Sequence, residues 1–302
     1  MAIKTKIFYQ VFQNIDGFCT ATQIKRTQLK LILNCKKYFT RTLHKQDKKR
    51  ELEIPNGSLK ALQKKINAHI QSCLKAPDYL YSGYKGSNYV KCAKVHQNSK
   101  VIATVDISDF YHSCKAEHVR SFFKNKLNTD EELTDMLVKL TTFHGSLPTG
   151  APTSQLLAFW SYKKCFDEIN ELAKAKNLKM TLYVDDIGFS GDFIKFDELI
   201  SEVAKILNKY GFKLNNNKNR IQKKGTKLYL GVGITKDKRL AIPNNLGFSI
   251  IKTIKNRKIK DLSPKEIARL LGLIAAAQQI EPNKFKMLKR QILKQQRKNC
   301  SI

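Results

Sequence analysis

Two adjacent carboxylates, Asp185 and Asp186, stand between apolar segments, Met180-Thr181-Leu182-Tyr183-Val184 before them and Ile187-Gly188-Phe189 after them. Met180, Leu182 and Val184 recur with the period of a half-buried strand. The second apolar run follows at once, so the spacing predicts a tight β-hairpin capped by the acidic pair. Taken alone, Asp-Asp at a hairpin cap is also ordinary turn chemistry, because Asp is at home in turns.

A third carboxylate shifts that balance. Val101-Ile102-Ala103-Thr104-Val105 is a short β-branched run that ends on Asp106. A carboxylate at the end of a buried strand is costly unless it is paired or binds a cation. Three carboxylates on neighbouring strand ends can hold two hard divalent cations, about 3.5–4 Å apart, that activate a hydroxyl and stabilise a leaving pyrophosphate. Mg²⁺ suits this role, since it binds through a few carboxylates and substrate phosphates and keeps its remaining waters. The chemistry expected is nucleotidyl transfer, with Asp106, Asp185 and Asp186 as catalytic residues and ligands of two Mg²⁺ ions.

Charge supplies the partner class. Lys and Arg number 56 against 25 Asp and Glu in 302 residues, a formal net charge of +31, and an excess of that size points to a polyanion. An acidic membrane surface competes, but the longest uninterrupted run of small and apolar residues, 270–277, is far short of a span. No membrane is expected. The opening residues mix Lys, Gln, Asn and aromatics with no apolar core of a secretory signal. The cysteines, at 19, 35, 73, 92, 114, 165 and 300, are scattered and form no C-x-x-C, so neither disulfides nor a zinc site is expected. Cys114 with His118, or Cys92 with His96, offers half a metal site without a second half. A reducing, cytoplasmic compartment follows. At this length the chain can bury a sizeable core in one large domain or a few closely packed subdomains.

Three motifs in order carry a resemblance. Tyr183-Val184-Asp185-Asp186 resembles the Y-x-D-D box of reverse transcriptases, and Asp106-Ile107-Ser108-Asp109-Phe110-Tyr111 resembles their preceding catalytic strand. Between them, Leu147-Pro148-Thr149-Gly150-Ala151-Pro152-Thr153-Ser154 is similar to the L-P-x-G-x-P-x-S segment of bacterial members. The chain is identified as a reverse transcriptase of the retron or retron-like bacterial class. The resemblance implies an α+β right-hand polymerase whose palm is a small antiparallel sheet backed by helices. The expected division is 1–100 for N-terminal helices and fingers (the fingers also drawing on part of 115–155), 101–243 for palm and 244–302 for a basic helical thumb.

The implied function is RNA-directed DNA synthesis on a cognate structured non-coding RNA, in bacterial anti-phage defence. Expected partners are that RNA as template and primer, RNA–DNA heteroduplex, deoxynucleoside triphosphates and a separately encoded defence effector protein. The alternatives are a defence-associated or abortive-infection-type reverse transcriptase with another priming or template mode, and an RNA-dependent RNA polymerase. The latter usually carries G-D-D and a second Asp in place of a bulky ring, so Tyr183 and Tyr111 argue against it. A non-catalytic scaffold has no need for three intact carboxylates.

Along the chain, residues 1–45 read as basic and largely helical. Alternation on both sides of Lys45-Gln46-Asp47-Lys48-Lys49 predicts a hairpin. Its basic tip is a solvated turn on chemistry alone, and the resemblance makes Lys48 and Arg50 contacts to the incoming triphosphate. Ser58 is a candidate cap for a helix with Leu59, Leu62, Ile66 and Ile70 on one face. Tyr79, Tyr81 and Tyr84 suit either base stacking or core packing. Cys92-Ala93-Lys94-Val95-His96 is similar to the retron N-A-x-x-H segment, with Cys92 for Asn. A lone His is more often a structural donor, and the resemblance turns His96 towards the RNA.

Around the nucleotide the resemblance puts Phe110, Tyr111, Thr149 and Gly150. The Tyr111 ring lies beneath the sugar and excludes a 2′-hydroxyl, the alternative being a core aromatic. Thr149 stands where relatives often have Gln. Helical stripes fall at Val119, Phe122, Phe123, Leu127 and at Leu133, Met136, Leu137, Leu140, and Ser154 can cap the helix that follows. An amphipathic helix over 196–210 stops at Gly211. In Gly211-Phe212-Lys213-Leu214-Asn215-Asn216-Asn217-Lys218, similar to G-F-x-x-N-x-x-K, Lys218 is the expected catalytic lysine at the leaving pyrophosphate. Tyr229-Leu230-Gly231 departs from the retron V-T-G, keeping only Gly231, which with Tyr183 is expected at the nucleic acid. Ser263-Pro264-Lys265-Glu266 forms a capping box. From Asn244 onward 14 Lys and Arg face three acidic residues, and Lys286, Lys289 and Arg290 are the expected phosphate contacts.

Overall fold

A computed structural model describes residues 12–35, 37–45, 48–255 and 259–299, and side chains for all of these except 44, 45, 48–50 and 297–299. Helices α1 (Ile15–Thr22) and α2 (Arg26–Asn34) precede an antiparallel hairpin, β1 (Tyr38–Lys45) and β2 (Lys48–Pro55), paired from Tyr38↔Pro55 to Lys45↔Lys48. The hairpin expected here is present, and its strands reach further into the polar bend than alternation indicated. The side chains of Lys48 and Arg50 lie outside the described residues. Helix α3 (Gly57–Cys73) buries Leu59, Leu62, Ile66 and Ile70, but Asn56 caps it, its Oδ1 accepting from the Leu59 N–H at 2.8 Å. Ser58 is already inside the helix, and a cap must stand in extended backbone just before it.

The central sheet is antiparallel throughout. Strand β3 (Val101–Ser108) lies between β5 (Asp186–Gly191) and a shared edge where β6 (Lys213–Leu214) and β7 (Arg220–Gln222) pair with it at different heights. Strand β4 (Lys179–Tyr183) pairs with β5 on the outside. β3 is buried along both faces, which explains why its sequence reads as a continuous β-branched run. The segments between strands are helical: α4 (Tyr89–Val95) before β3, then α5 (Phe110–Ser113), α6 (Ala116–Ser121), α7 (Glu131–Thr141), α8 (Ser154–Ser161) and α9 (Lys163–Ala175), with α10 (Phe196–Lys209) after β5. Helix α9 packs on β4, and α10 packs on α9 and β6. Phe166, Phe189, Phe212, Leu199, Val203 and Leu207 are fully or almost fully buried, each worth about 1.5–3 kcal/mol relative to exposure. Helix α10 ends where Gly211 takes φ +80°, a conformation that favours glycine. Thr153 precedes α8, whereas Ser154 donates its hydroxyl to the Pro148 carbonyl at 2.6 Å and closes the loop.

A second small antiparallel sheet follows, from β8 (Lys227–Tyr229), β9 (Val232–Ile234) and β10 (Leu240–Ala241). Helices α11 (Asn244–Ile254), α12 (Pro264–Ile280) and α13 (Lys286–Asn299) then gather around their own core of Ile250, Leu262, Ile267, Leu270, Ile274, Ala277 and Ile292. Ser263 and Glu266 form the capping box expected from the sequence. Among the described residues no helix is long and apolar enough to cross a membrane.

Candidate active site

The hairpin turn between β4 and β5 is strained. Val184 has φ +60°, whereas Asp185 is not in the positive-φ region. One positive φ at the first central residue is the pattern of turns that favour Gly there, and for a β-branched residue it is an outlier. The surroundings hold it. Residues 79–82 run beside β4, with the Leu182 N–H donating to Tyr79 O at 2.7 Å and the Tyr81 N–H donating to Leu182 O at 2.9 Å. Ser82 Oγ accepts from the Val184 N–H at 3.1 Å. Strain over-determined by neighbours is characteristic of functional turns.

The register then brings the acidic residues together. Asp106 is directly opposite Asp186, which pairs on its other side with Tyr183. The Ile107 N–H donates to Asp185 O at 3.1 Å, fixing the turn against the end of β3. Asp106 is 6% exposed, and its Oδ1 accepts from Lys218 Nζ at 2.7 Å. Burial, then the charges of Asp185 and Asp106, push the Asp186 carboxyl up to about 7, with Lys218 opposing. The cluster is therefore short of positive charge. Among the described residues no group of three or more acidic, histidine or cysteine side chains is placed to hold a metal ion by itself. A hard divalent cation takes only part of its shell from protein, since phosphates and water complete it, and the carboxylate oxygens of Asp106, Asp185 and Asp186 are donors of the kind it prefers.

A model of the family described as reverse transcriptase (RNA-dependent DNA polymerase) matches residues 42–234, 193 of the 302. The chain belongs to the reverse transcriptase family. It is 28% identical over 217 residues to the Retron Se72 reverse transcriptase of Salmonella heidelberg (strain 579083-10), covering 69% of this chain and 57% of that one. To the Retron Ec48 reverse transcriptase of Escherichia coli it is 27% identical over 224 residues, 68% of this chain and 55% of that one. The chain thus spans little more than half the length of these relatives. A solved foamy viral protease-reverse transcriptase superposes with a TM-score of 0.46 at 16% identity, over 80% of this chain and 36% of that one. The matched residues 42–234 span the second half of β1, all of β2, the central sheet and all three carboxylates, and the α+β right-hand polymerase fold expected from the sequence is the family's. Reverse transcriptases use divalent metal ions, consistent with the charge deficit at Asp186.

The remaining candidate residues divide by burial. Phe110 is 6% exposed and packs with Phe166, Phe212 and Tyr111. The Phe110 ring is therefore a core side chain. Tyr111 is half-buried at the rim of that cluster. Thr149 is stitched to β2: its N–H donates to Glu53 Oε2 at 3.1 Å and its Oγ1 accepts from the Glu53 N–H at 3.2 Å. Gly150 lies so close to this strand that a Cβ would meet Glu53 O at 2.6 Å. No local pattern marks Glu53 as the partner.

His96 lies inside the fold. It is fully buried, with Nδ1 2.7 Å from Ser190 Oγ and Nε2 2.7 Å from Thr181 Oγ1. Burial, assisted by Lys179, holds its pKa down at about 3, so the ring is neutral and spans β4 and β5 from beneath. Tyr229 completes the group, its hydroxyl 3.0 Å from Thr181 Oγ1 and 3.8 Å from Cys92 Sγ. The departures at Cys92 and Tyr229 therefore meet in space. Gly188 is needed opposite them, because a Cβ there would lie 2.6 Å from the Tyr229 hydroxyl. Tyr79 donates to Asp167 Oδ1 at 2.6 Å, and Tyr84 donates to Leu74 O at 2.9 Å. These two rings are packing, and Tyr81 is half-buried. Gly231 (φ +75°) with Leu230 (φ +50°) makes the exposed β8–β9 turn, and Tyr183 is half-buried beside the Cys92–Tyr229 cluster. On α13, Lys286 and Arg290 are exposed, while Lys289 Nζ donates to Gln278 Oε1 at 3.0 Å.

Proposed function

We propose that the chain is a retron-type RNA-directed DNA polymerase that copies a structured non-coding RNA into DNA, in anti-phage defence. The observation that carries this is the meeting of Asp106, Asp185, Asp186 and Lys218 at one end of the central sheet in a member of this family. Asp106, Asp185 and Asp186 would hold two Mg²⁺ ions, which when bound activate the primer hydroxyl and neutralise the leaving pyrophosphate. Lys218 holds Asp106 in place before substrate arrives and offers its ammonium to the pyrophosphate. Tyr111 lies against the sugar, and Thr149 and Gly150 form the neighbouring wall. Lys48 and Arg50 reach the triphosphate from the fingers, residues 1–100 with part of 115–155. Residues 101–243 form the palm. The basic helices of 244–302 form the thumb, with Lys286, Lys289 and Arg290 towards heteroduplex phosphates and Tyr183 and Gly231 along the nucleic-acid track.

The test is primer extension on an RNA template with the purified chain, Mg²⁺ and labelled deoxynucleotides. Extension that chelation abolishes is expected; failure to extend, or extension only with ribonucleotides, overturns the reading. A binding readout is independent of turnover. Mg²⁺ should raise the melting temperature of the wild type, because a ligand of the folded state stabilises it. Asp186→Asn should raise the metal-free melting temperature by relieving repulsion and should lose most of the Mg²⁺ shift. Equal Mg²⁺ shifts in both proteins would remove Asp186 from the metal site. For the sugar, Tyr111→Val should narrow the preference for deoxynucleotides over ribonucleotides by about tenfold or more, a loss of the order expected when one steric contact sets the discrimination. Unchanged discrimination would leave Tyr111 a core aromatic.

A further inference from the structure

A charged cluster outside the carboxylate site joins the β1–β2 hairpin to the strand–helix corner after β3. Glu53, on β2, is largely shielded, with 14% of its side chain exposed. Its Oε2 accepts from the Thr149 N–H at 3.1 Å and lies 3.3 Å from His112 Nε2. The other nitrogen of that ring, Nδ1, lies 2.7 Å from Asp109 Oδ1. Asp109 itself stands in left-handed backbone, φ +45°, at the corner that leads to Phe110 and Tyr111. One imidazole thus spans two carboxylates, and one of those carboxylates also orders the Thr149–Gly150 wall. A shielded carboxylate costs free energy unless it is paired and hydrogen-bonded, and a doubly protonated ring satisfies both partners at once.

We propose that Glu53 and His112 form a latch that sets the fingers hairpin and the Thr149–Gly150 loop against the sugar-facing corner, making both positioning residues for the incoming deoxynucleoside triphosphate. This rests on the polymerase reading given above. Partial burial works against charge on His112, but Asp109 and Glu53 outweigh it and raise its pKa above the ordinary histidine value. Among the described residues the charged groups facing the ring are Glu53 from β2 and Asp109 from its own corner, while Lys115 Nζ donates to the His112 carbonyl at 3.0 Å. Below its pKa the ring gives an N–H to each carboxylate. Above it one N–H is lost, one carboxylate faces a lone pair, and the latch loosens.

The experiment is steady-state incorporation of one deoxynucleotide by wild type, Glu53→Gln, His112→Gln and the double variant across neutral pH, with melting temperatures recorded alongside. Gln at 53 keeps an acceptor for Thr149, and His112 is 37% exposed, so all four proteins should fold. Each single variant should raise KM about tenfold with kcat changed far less, as expected when a charge-assisted contact that only orders the pocket is lost. The double variant should equal the singles, since either change alone breaks the latch. The KM ratio of His112→Gln to wild type should be largest at low pH and shrink as pH rises. Variants with wild-type KM overturn the latch while leaving the polymerase reading standing. So do losses that multiply in the double variant, or a lower melting temperature with no change in KM. An inactive wild type overturns the polymerase reading instead.

Discussion

Replacing Asp106, Asp185 or Asp186 by Asn should lower nucleotide incorporation by about three orders of magnitude or more, because bound ions supply several kcal/mol of transition-state stabilisation. The fold should survive. Asn is isosteric, and each substitution removes negative charge from a cluster in which Asp186 already carries the repulsion of Asp185 and Asp106. Asp106→Asn also weakens the 2.7 Å contact to Lys218, leaving that ammonium without its full counter-charge. Single-turnover incorporation with saturating template separates this effect from binding, and RNA affinity should stay within a fewfold of wild type. Full-rate synthesis by Asp185→Asn would mean that the catalytic carboxylates lie elsewhere.

Acidification should destabilise the fold through His96, and the effect should be large. Its folded pKa is about 3, against about 6.5 when unfolded. The unfolded chain therefore binds a proton that the folded chain refuses. The stabilisation is complete above about pH 6.5 and is lost as pH falls towards 3. A difference of this size corresponds to the order of several kcal/mol, a large fraction of a typical 5–15 kcal/mol domain stability. His69, held down at about 4 by burial and stacked on Phe12 at 3.9 Å, acts in the same direction. Asp186 acts oppositely, because its folded pKa of about 7 makes the folded state the better proton binder as pH falls. Urea titrations from pH 7 to pH 4 are therefore best made in the Asp186→Asn background. There His96→Leu should cost about 2–4 kcal/mol at pH 7, because Ser190 and Thr181 each lose one of their two side-chain partners, and should flatten the pH slope. An unchanged slope would mean that His96 is not the buried neutral base described here.

The sequence by itself determined the elements that carry the chemistry. Alternation through Met180, Leu182 and Val184 gave the hairpin, the β-branched run ending at Asp106 gave the central strand, and the Ser263–Glu266 box gave the start of α12. These are local signals, because a strand or helix must present one face to a core and its period records which face. Motif spacing further pointed to the three carboxylates and Lys218, and the fold brings Asp106, Asp186 and Lys218 together. Tertiary structure alone decided what the polar and aromatic side chains near the site touch. His96 is two hydrogen bonds deep beneath β4 and β5 because α4 packs there, and nothing around it in sequence tells a buried base from an RNA contact. Phe110 and Tyr111 are neighbours, yet the turn after β3 sends one ring into the core and leaves the other at its rim. Glu53 meets His112 and Thr149 from far along the chain, and Ser82 holds the strained Val184 turn from beside β4. A polar side chain finds its partner across the fold, and periodicity, which encodes burial of a face, carries no information about that pairing.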